Sequence, residues 1–185
     1  MTTVFISGSR MISRLNDVVC DRLQNMINQD FRIVVGDANG ADKALQGFLA
    51  AARYDNVIVY CAGSICRNNV GDWRVKKIQV DSKLKGREFY AQKDQQMARE
   101  ADYGFVLWDG KSAGSISNVI ELLKQQKPVA IYLSSEKRIV SVSHLQDIQI
   151  VLRSCDRRDY QKLSKKIDLA RHLDGLKLTT QGTLF

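Results

Sequence analysis

The sequence predicts an α/β domain: a doubly wound, Rossmann-like parallel sheet of strand order 3-2-1-4-5 with a C-terminal helical extension. Three observations carry this. Short apolar runs alternate along the chain with segments of helical period. The runs are almost continuously apolar, as strands covered on both faces must be. Three of them end in loops of glycine and small or charged residues, and open parallel sheets hold their ligands at such strand ends.

Val4-Phe5-Ile6 is the first strand and runs into the tight loop Ser7-Gly8-Ser9-Arg10. From Leu15 to Ile27, apolar residues recur at spacings of three and four, which marks a helix face. Arg32 to Val35 is the second strand, ending at Gly36-Asp37, and Ala38 to Ala52 reads as a helix with Ala41, Leu45 and Leu49 inward. Asn56 to Tyr60 is the third strand. Gly63 to Gly86 shows little periodicity and exceeds the usual connection, so it is either functional or conceals further structure. Gly86 to Ala101 is helical, Tyr103 to Trp108 is the fourth strand, Ile116 to Gln126 a helix, and Val129 to Leu133 the fifth strand. Right-handed crossovers place the helices on both faces, with a switch point between the first and fourth strands. Ser143 to Cys155 and Asp159 to Leu173 read as two further helices. The expected organisation is therefore an α/β domain over 1–135, a helical extension over 136–178 packed on it, and a tail over 179–185.

The 185 residues, with 44% hydrophobic and 26% charged, fit one globular domain and exclude disordered and low-complexity classes. No apolar run approaches the ~20 residues of a membrane helix. The opening Met-Thr-Thr carries no basic region or cleavage site, so a cytoplasmic protein without a membrane partner is expected. None of Cys20, Cys61, Cys66 and Cys155 forms a C-x-x-C pair, and His144 and His172 lie far from any cysteine cluster. Free thiols, no metal and no cofactor are expected.

The net charge of +8 is unevenly spread. Residues 51–90 hold eight cations against four anions and 130–185 hold ten against six, whereas 1–50 and 91–129 are balanced at five of each. A phosphate-bearing partner and a merely solvated basic face both fit this distribution.

The chemistry concentrates at three strand ends: Ser7-Gly8-Ser9-Arg10, Gly36 to Lys43, and Asp109-Gly110-Lys111-Ser112-Ala113-Gly114-Ser115. Glycine lets backbone N–H groups approach an anion, and a helix starting near Ser115 aims its unpaired N–H groups and positive dipole end at it. Ser112 and Ser115 add hydroxyl donors, while Arg10, Lys43 and Lys111 add charge. Neither G-x-G-x-x-G nor a Walker spacing is present. Trp108 either stacks on a base or packs in the core. Of Gly40's acidic neighbours, Asp42 is the cap candidate by type and Asp37 the ligand candidate by position. Trp73 with Arg74, Lys76 and Lys77 forms either a weak nucleic-acid contact or a solvated lid.

Taken together, the Gly8-Ser9-Arg10 loop, the Gly36 to Asp42 turn and the Asp109 to Ser115 loop resemble the SLOG superfamily over roughly residues 1–133. That superfamily of Rossmann-like domains includes the DprA/Smf DNA-processing proteins and the lonely-guy phosphoribohydrolases. The resemblance implies a nucleotide, nucleoside monophosphate or phosphosugar ligand. Lonely-guy enzymes cleave an N-glycosidic bond with an Arg on the helix before the fourth strand and a Glu in a P-G-G-x-G-T-x-x-E loop. The resemblance carries that Arg onto Lys93, the residue after it onto Asp94, and the Glu onto Asn118, with Asp109 as another carboxylate source. An amide at the Glu position carries no charge for a ribosyl cation, so binding is the primary expectation and N-glycosidic chemistry the alternative. A third class is suggested by Gln181-Gly182-Thr183-Leu184-Phe185, which resembles the Q-x-x-L-F peptide of bacterial proteins that dock on the sliding clamp. In that reading Gln181, Leu184 and Phe185 make the contact for a clamp-tethered DNA-processing accessory protein. The remaining partner expected is a second copy of the chain, as a homo-oligomer.

Overall fold

Alternate residues of each apolar run enter opposite layers of core. Phe5, Val34 and Val106 join one cluster, while Val4 and Ile6, Ile33 and Val35, and Phe105 and Leu107 join the other. This parity follows from the two-residue period of an extended chain and requires cover on both faces. The computed structural model, which describes residues 1–81 and 83–168, supplies that cover.

The elements run β1 (Thr3–Gly8), α1 (Asp17–Asn28), β2 (Arg32–Gly36), α2 (Ala41–Ala51), β3 (Val57–Ala62), β4 (Arg74–Ile78), α3 (Gly86–Glu100), β5 (Tyr103–Trp108), α4 (Ala113–Lys124), β6 (Val129–Leu133), β7 (Arg138–Val142), α5 (Ile148–Leu152) and α6 (Arg157–Ile167). The strands form one seven-stranded sheet of order β4-β3-β2-β1-β5-β6-β7. All pairings are parallel except β6 with β7. The fold is thus an α/β, Rossmann-like sheet, with the five expected strands adjacent in the expected order. α1 and α2 contribute Val19, Leu23, Leu45 and Leu49 to one face; α3 to α6 contribute Met97, Ile116, Ile148 and Leu163 to the other. Each fully buried large side chain, such as Phe5, Tyr60 or Trp108, removes enough apolar area to contribute about 1.5–3 kcal/mol.

Two strands escaped the sequence reading, and both are edges. β4 lies within the aperiodic 63–86 stretch. Its Arg-Val-Lys-Lys-Ile sequence carries the charges that keep an open sheet edge from pairing further. Trp73 just before it is buried, with Nε1 donating to the Tyr54 carbonyl at 2.8 Å, so the nucleic-acid contact considered for it is replaced by a packing role. At the other edge, β7 returns antiparallel after the turn 134–137, so the extension begins with a strand before its helices. Ser143 to Cys155 is a 3-10 turn at Leu145–Asp147 followed by the short α5, not one helix. Side chains of α5 and α6 enter the same cluster as the sheet. Among the described residues no helix is long and apolar enough to cross a membrane.

Cys61 and Cys66 form a disulfide, with Cα atoms 5.2 Å apart, where free thiols were expected. The spacing signals nothing by itself; the loop after β3 turns back and brings the two together. Cys20 and Cys155 are free.

Candidate functional site

A pocket of about 660 Å³ opens at the carboxyl ends of β1 and β5, the place where the direction of winding reverses. Its size lies in the range that encloses a small organic ligand. Ser7 and Gly8 end β1 at it and Ser9 to Met11 follow, Asp109 and Lys111 to Ser115 follow β5, and α3 contributes Arg87, Tyr90, Lys93 and Asp94.

The two loops are tied together before any ligand arrives. The Ser9 hydroxyl donates to Asp109 Oδ2 at 2.7 Å, and Asp109 Oδ1 accepts from the N–H groups of Lys111 at 3.1 Å and Ser112 at 2.8 Å. Asp109 therefore shapes the loop that leads into α4. Ser112 is the N-cap of α4, its hydroxyl accepting from Ser115 N–H at 3.4 Å and Ser115 Oγ at 3.0 Å. The first turn of a helix has N–H groups without intrahelical partners and a positive dipole end; here Ala113, Gly114 and Ser115 present that turn to the pocket.

Lys93 and Asp42 lie at the pocket's buried side. Lys93 is 3% exposed, with Nζ 2.7 Å from Asp94 Oδ1. Burial alone would lower its pKa, but the charges of Asp94 and Asp42 reverse this, so the ammonium persists. Asp42 Oδ2 accepts from Ala38 N–H at 3.2 Å. Burial pushes the Asp42 carboxyl up to about 6, with Lys93 opposing the rise and Asp94 adding to it. The pocket thus contains a fixed cation beside a carboxyl that changes protonation near neutral pH.

Of the residues singled out from the sequence, Gly8, Ser9, Arg10, Asp42, Lys93, Asp94, Asp109, Lys111, Ser112, Gly114, Ser115 and Asn118 line this one pocket. Gly36, Asp37, Gly40, Trp108 and Gly110 do not. Trp108 is fully buried and its Nε1 donates to the Ser112 carbonyl at 3.2 Å, so it braces the loop from below and offers no face to a base. Neither Asp37 nor Asp42 has the role read for it. Asp37 accepts from Arg67 Nη2 at 2.6 Å and Nε at 3.0 Å, so its carboxylate is spent on an ion pair, outside the pocket lining. Burial acts to raise its pKa, but the Arg67 bonds, aided by Lys93, hold it below the ordinary value. Asp42 is not the α2 cap, a position taken by Gly40 at φ +82°, and points into the pocket instead. Gly36 matters by close approach: a Cβ there would lie 2.6 Å from Lys93 Nζ. Asn118 Nδ2 donates to Ser7 Oγ at 3.2 Å. Gln181, Leu184 and Phe185 lie outside the described residues.

The sequence reading missed Arg67, Arg87, Tyr90 and Lys166. The Arg67 guanidinium lies 4.3 Å and that of Arg10 5.9 Å from the Tyr90 ring centroid, which gathers two cations on one aromatic at the pocket wall. Arg87 donates to the Ala113 carbonyl at 3.3 Å, to the Ser117 hydroxyl, and to the Lys166 carbonyl at 3.3 Å. All four come from the two basic segments, so part of the surplus charge of those segments lines the pocket. With Arg10, Lys93 and Lys111, the described residues give the pocket six cationic side chains against the carboxylates of Asp42, Asp94 and Asp109. Lys111 is itself paired with Asp159 at 3.0 Å. The pocket can therefore hold an anion, with carboxylates near enough to accept from hydroxyl or amino groups on the same ligand.

Asp37, Cys61 and Cys66 bring potential metal-ligand atoms within 4.8 Å of one another. Two of those atoms are the bonded sulfurs, and the Asp37 oxygens accept from Arg67, so this donor set is already spent.

No protein-family model and no curated protein matches the chain. Among solved structures, one described as showing the single-stranded DNA binding mode of DNA processing protein A from Helicobacter pylori is similar. It has a TM-score of 0.57 at 14% identity, covering 90% of this chain and 80% of that one. The fold is DprA-like. At this identity the likeness speaks to the fold.

Proposed function

We propose that the chain is a member of the SLOG superfamily whose pocket binds a nucleotide or a nucleotide-derived phosphosugar. The observation that carries this is the convergence of the α4 start with six cationic side chains at the switch point of a parallel sheet. The phosphate sits on the first turn of α4 beside Arg87, and Asp42 and Asp94 accept from sugar hydroxyls. Binding is proposed rather than bond cleavage, because Asn118 is engaged with Ser7 and carries no charge for a ribosyl cation. The test is thermal denaturation with nucleoside monophosphates, ribose 5-phosphate and inorganic phosphate. A specific ligand at a hundred times its Kd stabilises by about 2.7 kcal/mol. If no phosphate compound raises the melting temperature, the reading fails.

The DprA-like fold favours a second reading, single-stranded DNA as the ligand, since the similar Helicobacter pylori protein is described as binding it. Arg10, Arg67 and Tyr90 at the wall suit a base and its phosphodiester. Fluorescence anisotropy with a labelled oligothymidylate separates the two. Salt-sensitive binding of the oligonucleotide, with no shift by mononucleotides, selects DNA.

A further inference from the structure

Cys61 lies in β3 and is fully buried, whereas Cys66 is partly exposed in the loop that follows. Their disulfide closes a short loop that ends immediately before Arg67. Arg67 is held at three points: its backbone N–H donates to Asp37 Oδ2 at 3.1 Å, its side chain grips Asp37, and its guanidinium lies on Tyr90. The loop between has little other support. Gly63 N–H donates to the Ile78 carbonyl at 2.9 Å, but Ile65 is 77% exposed. The cross-link is thus a covalent tie between the sheet and a side chain of the pocket wall.

We propose that Cys61–Cys66 is a reversible thiol–disulfide site that sets how firmly Arg67 is held. That it thereby tunes ligand affinity rests on the pocket reading above. A dithiol of the thioredoxin or dithiothreitol class supplies the electrons. One reductant thiolate attacks Cys66 Sγ, the more accessible sulfur, to give a mixed disulfide, and Cys61 leaves as a thiolate and takes a proton. The second reductant thiol then attacks the mixed disulfide, releases Cys66 as a thiol and becomes a disulfide itself, so two electrons and two protons pass to the protein. Oxidised glutathione reverses the exchange. Reduction removes the loop-closure constraint next to Arg67, so the segment opens more often.

The test uses the full chain, oxidised or reduced, with iodoacetamide and mass spectrometry counting thiols. Trypsin cleavage after Arg67 is followed over time, a readout that needs no ligand. The proposal expects cleavage faster by on the order of tenfold on reduction, restored by oxidised glutathione. Cys66→Ser should behave as the reduced form while melting cooperatively. Equal cleavage of both forms at Arg67 overturns it. So does a reduced protein that retains one zinc ion with both thiols protected, since the sulfurs would then be metal ligands. In a parallel arm, inorganic phosphate is titrated against both forms by thermal shift. If phosphate stabilises neither, the pocket reading fails while the cleavage result still decides the redox site.

Discussion

The Ser9 hydroxyl donates to Asp109 Oδ2 at 2.7 Å and so joins the loop after β1 to the loop after β5. The same carboxylate takes two backbone N–H groups of its own loop. Asp109→Ala removes all three bonds to a charged acceptor. Allowing for water replacing part of them, it should lower stability by about 2–3 kcal/mol. Asp109→Asn, which keeps one acceptor oxygen, should lose less. Urea denaturation midpoints of the two variants check the order; equal midpoints to the wild type would deny Asp109 its organising role.

Asp37 is 1% exposed and depends on Arg67 for its counter-charge. Arg67→Ala should cost roughly 3 kcal/mol because it leaves a buried carboxylate unpaired. Asp37→Asn combined with Arg67→Ala should recover much of that loss. A double-mutant cycle measures the coupling, and strict additivity would show that the pair contributes nothing as a pair.

Asp42 gives the protein a specific pH dependence. Its carboxyl titrates near 6 in the folded chain against about 3.9 when unfolded. Between those values the folded state binds more protons than the unfolded one, so this group's contribution falls as pH rises from about 4 to 6. Asp42→Asn should therefore be more stable than the wild type at pH 8, by roughly 2–3 kcal/mol, and this advantage should vanish near pH 4. Melting curves of both proteins across that range provide the check; a constant difference would place the Asp42 pKa at its ordinary value.

Two glycines make opposite predictions. At Gly8 a Cβ would lie 2.6 Å from the Leu107 carbonyl oxygen and 2.8 Å from Ala41 Cβ, so strand or helix must move. Gly8→Ala should cost about 1–3 kcal/mol and impair the pocket. At Gly47, within α2, a Cβ meets nothing within 4 Å. Gly47→Ala should add about 0.5–1 kcal/mol through helix propensity. Differential scanning calorimetry should move the two melting temperatures in opposite directions.

The central five strands were legible because burial on both faces forces their sequences to be apolar throughout. β4 was not, because an open edge favours the charges of Arg74, Lys76 and Lys77 that disguise a strand. The α4 start lies three residues before the Ile116 expected from periodicity, since the turn set by Ser112 and Asp109 is polar. The loop residues of the pocket were legible for a related reason: their strand ends lie along one sheet edge whatever the helices do. Arg67, Arg87, Tyr90 and Lys166 depend on how long crossovers and the extension settle, which local pattern does not encode. The excess of cations over 51–90 was the available signal, and its direction became visible only once α3 was placed beside α4.

The β6–β7 turn sends the chain back across the sheet, and α6 then reaches the pocket at Lys166, whose carbonyl accepts from Arg87. Among the described residues, every other group that lines the pocket lies within residues 1–118, so α6 adds Lys166 alone. That contribution depends on the packing of α6 against α4. Without α6, Arg87 would lose the Lys166 carbonyl as an acceptor while keeping the Ala113 carbonyl and the Ser117 hydroxyl.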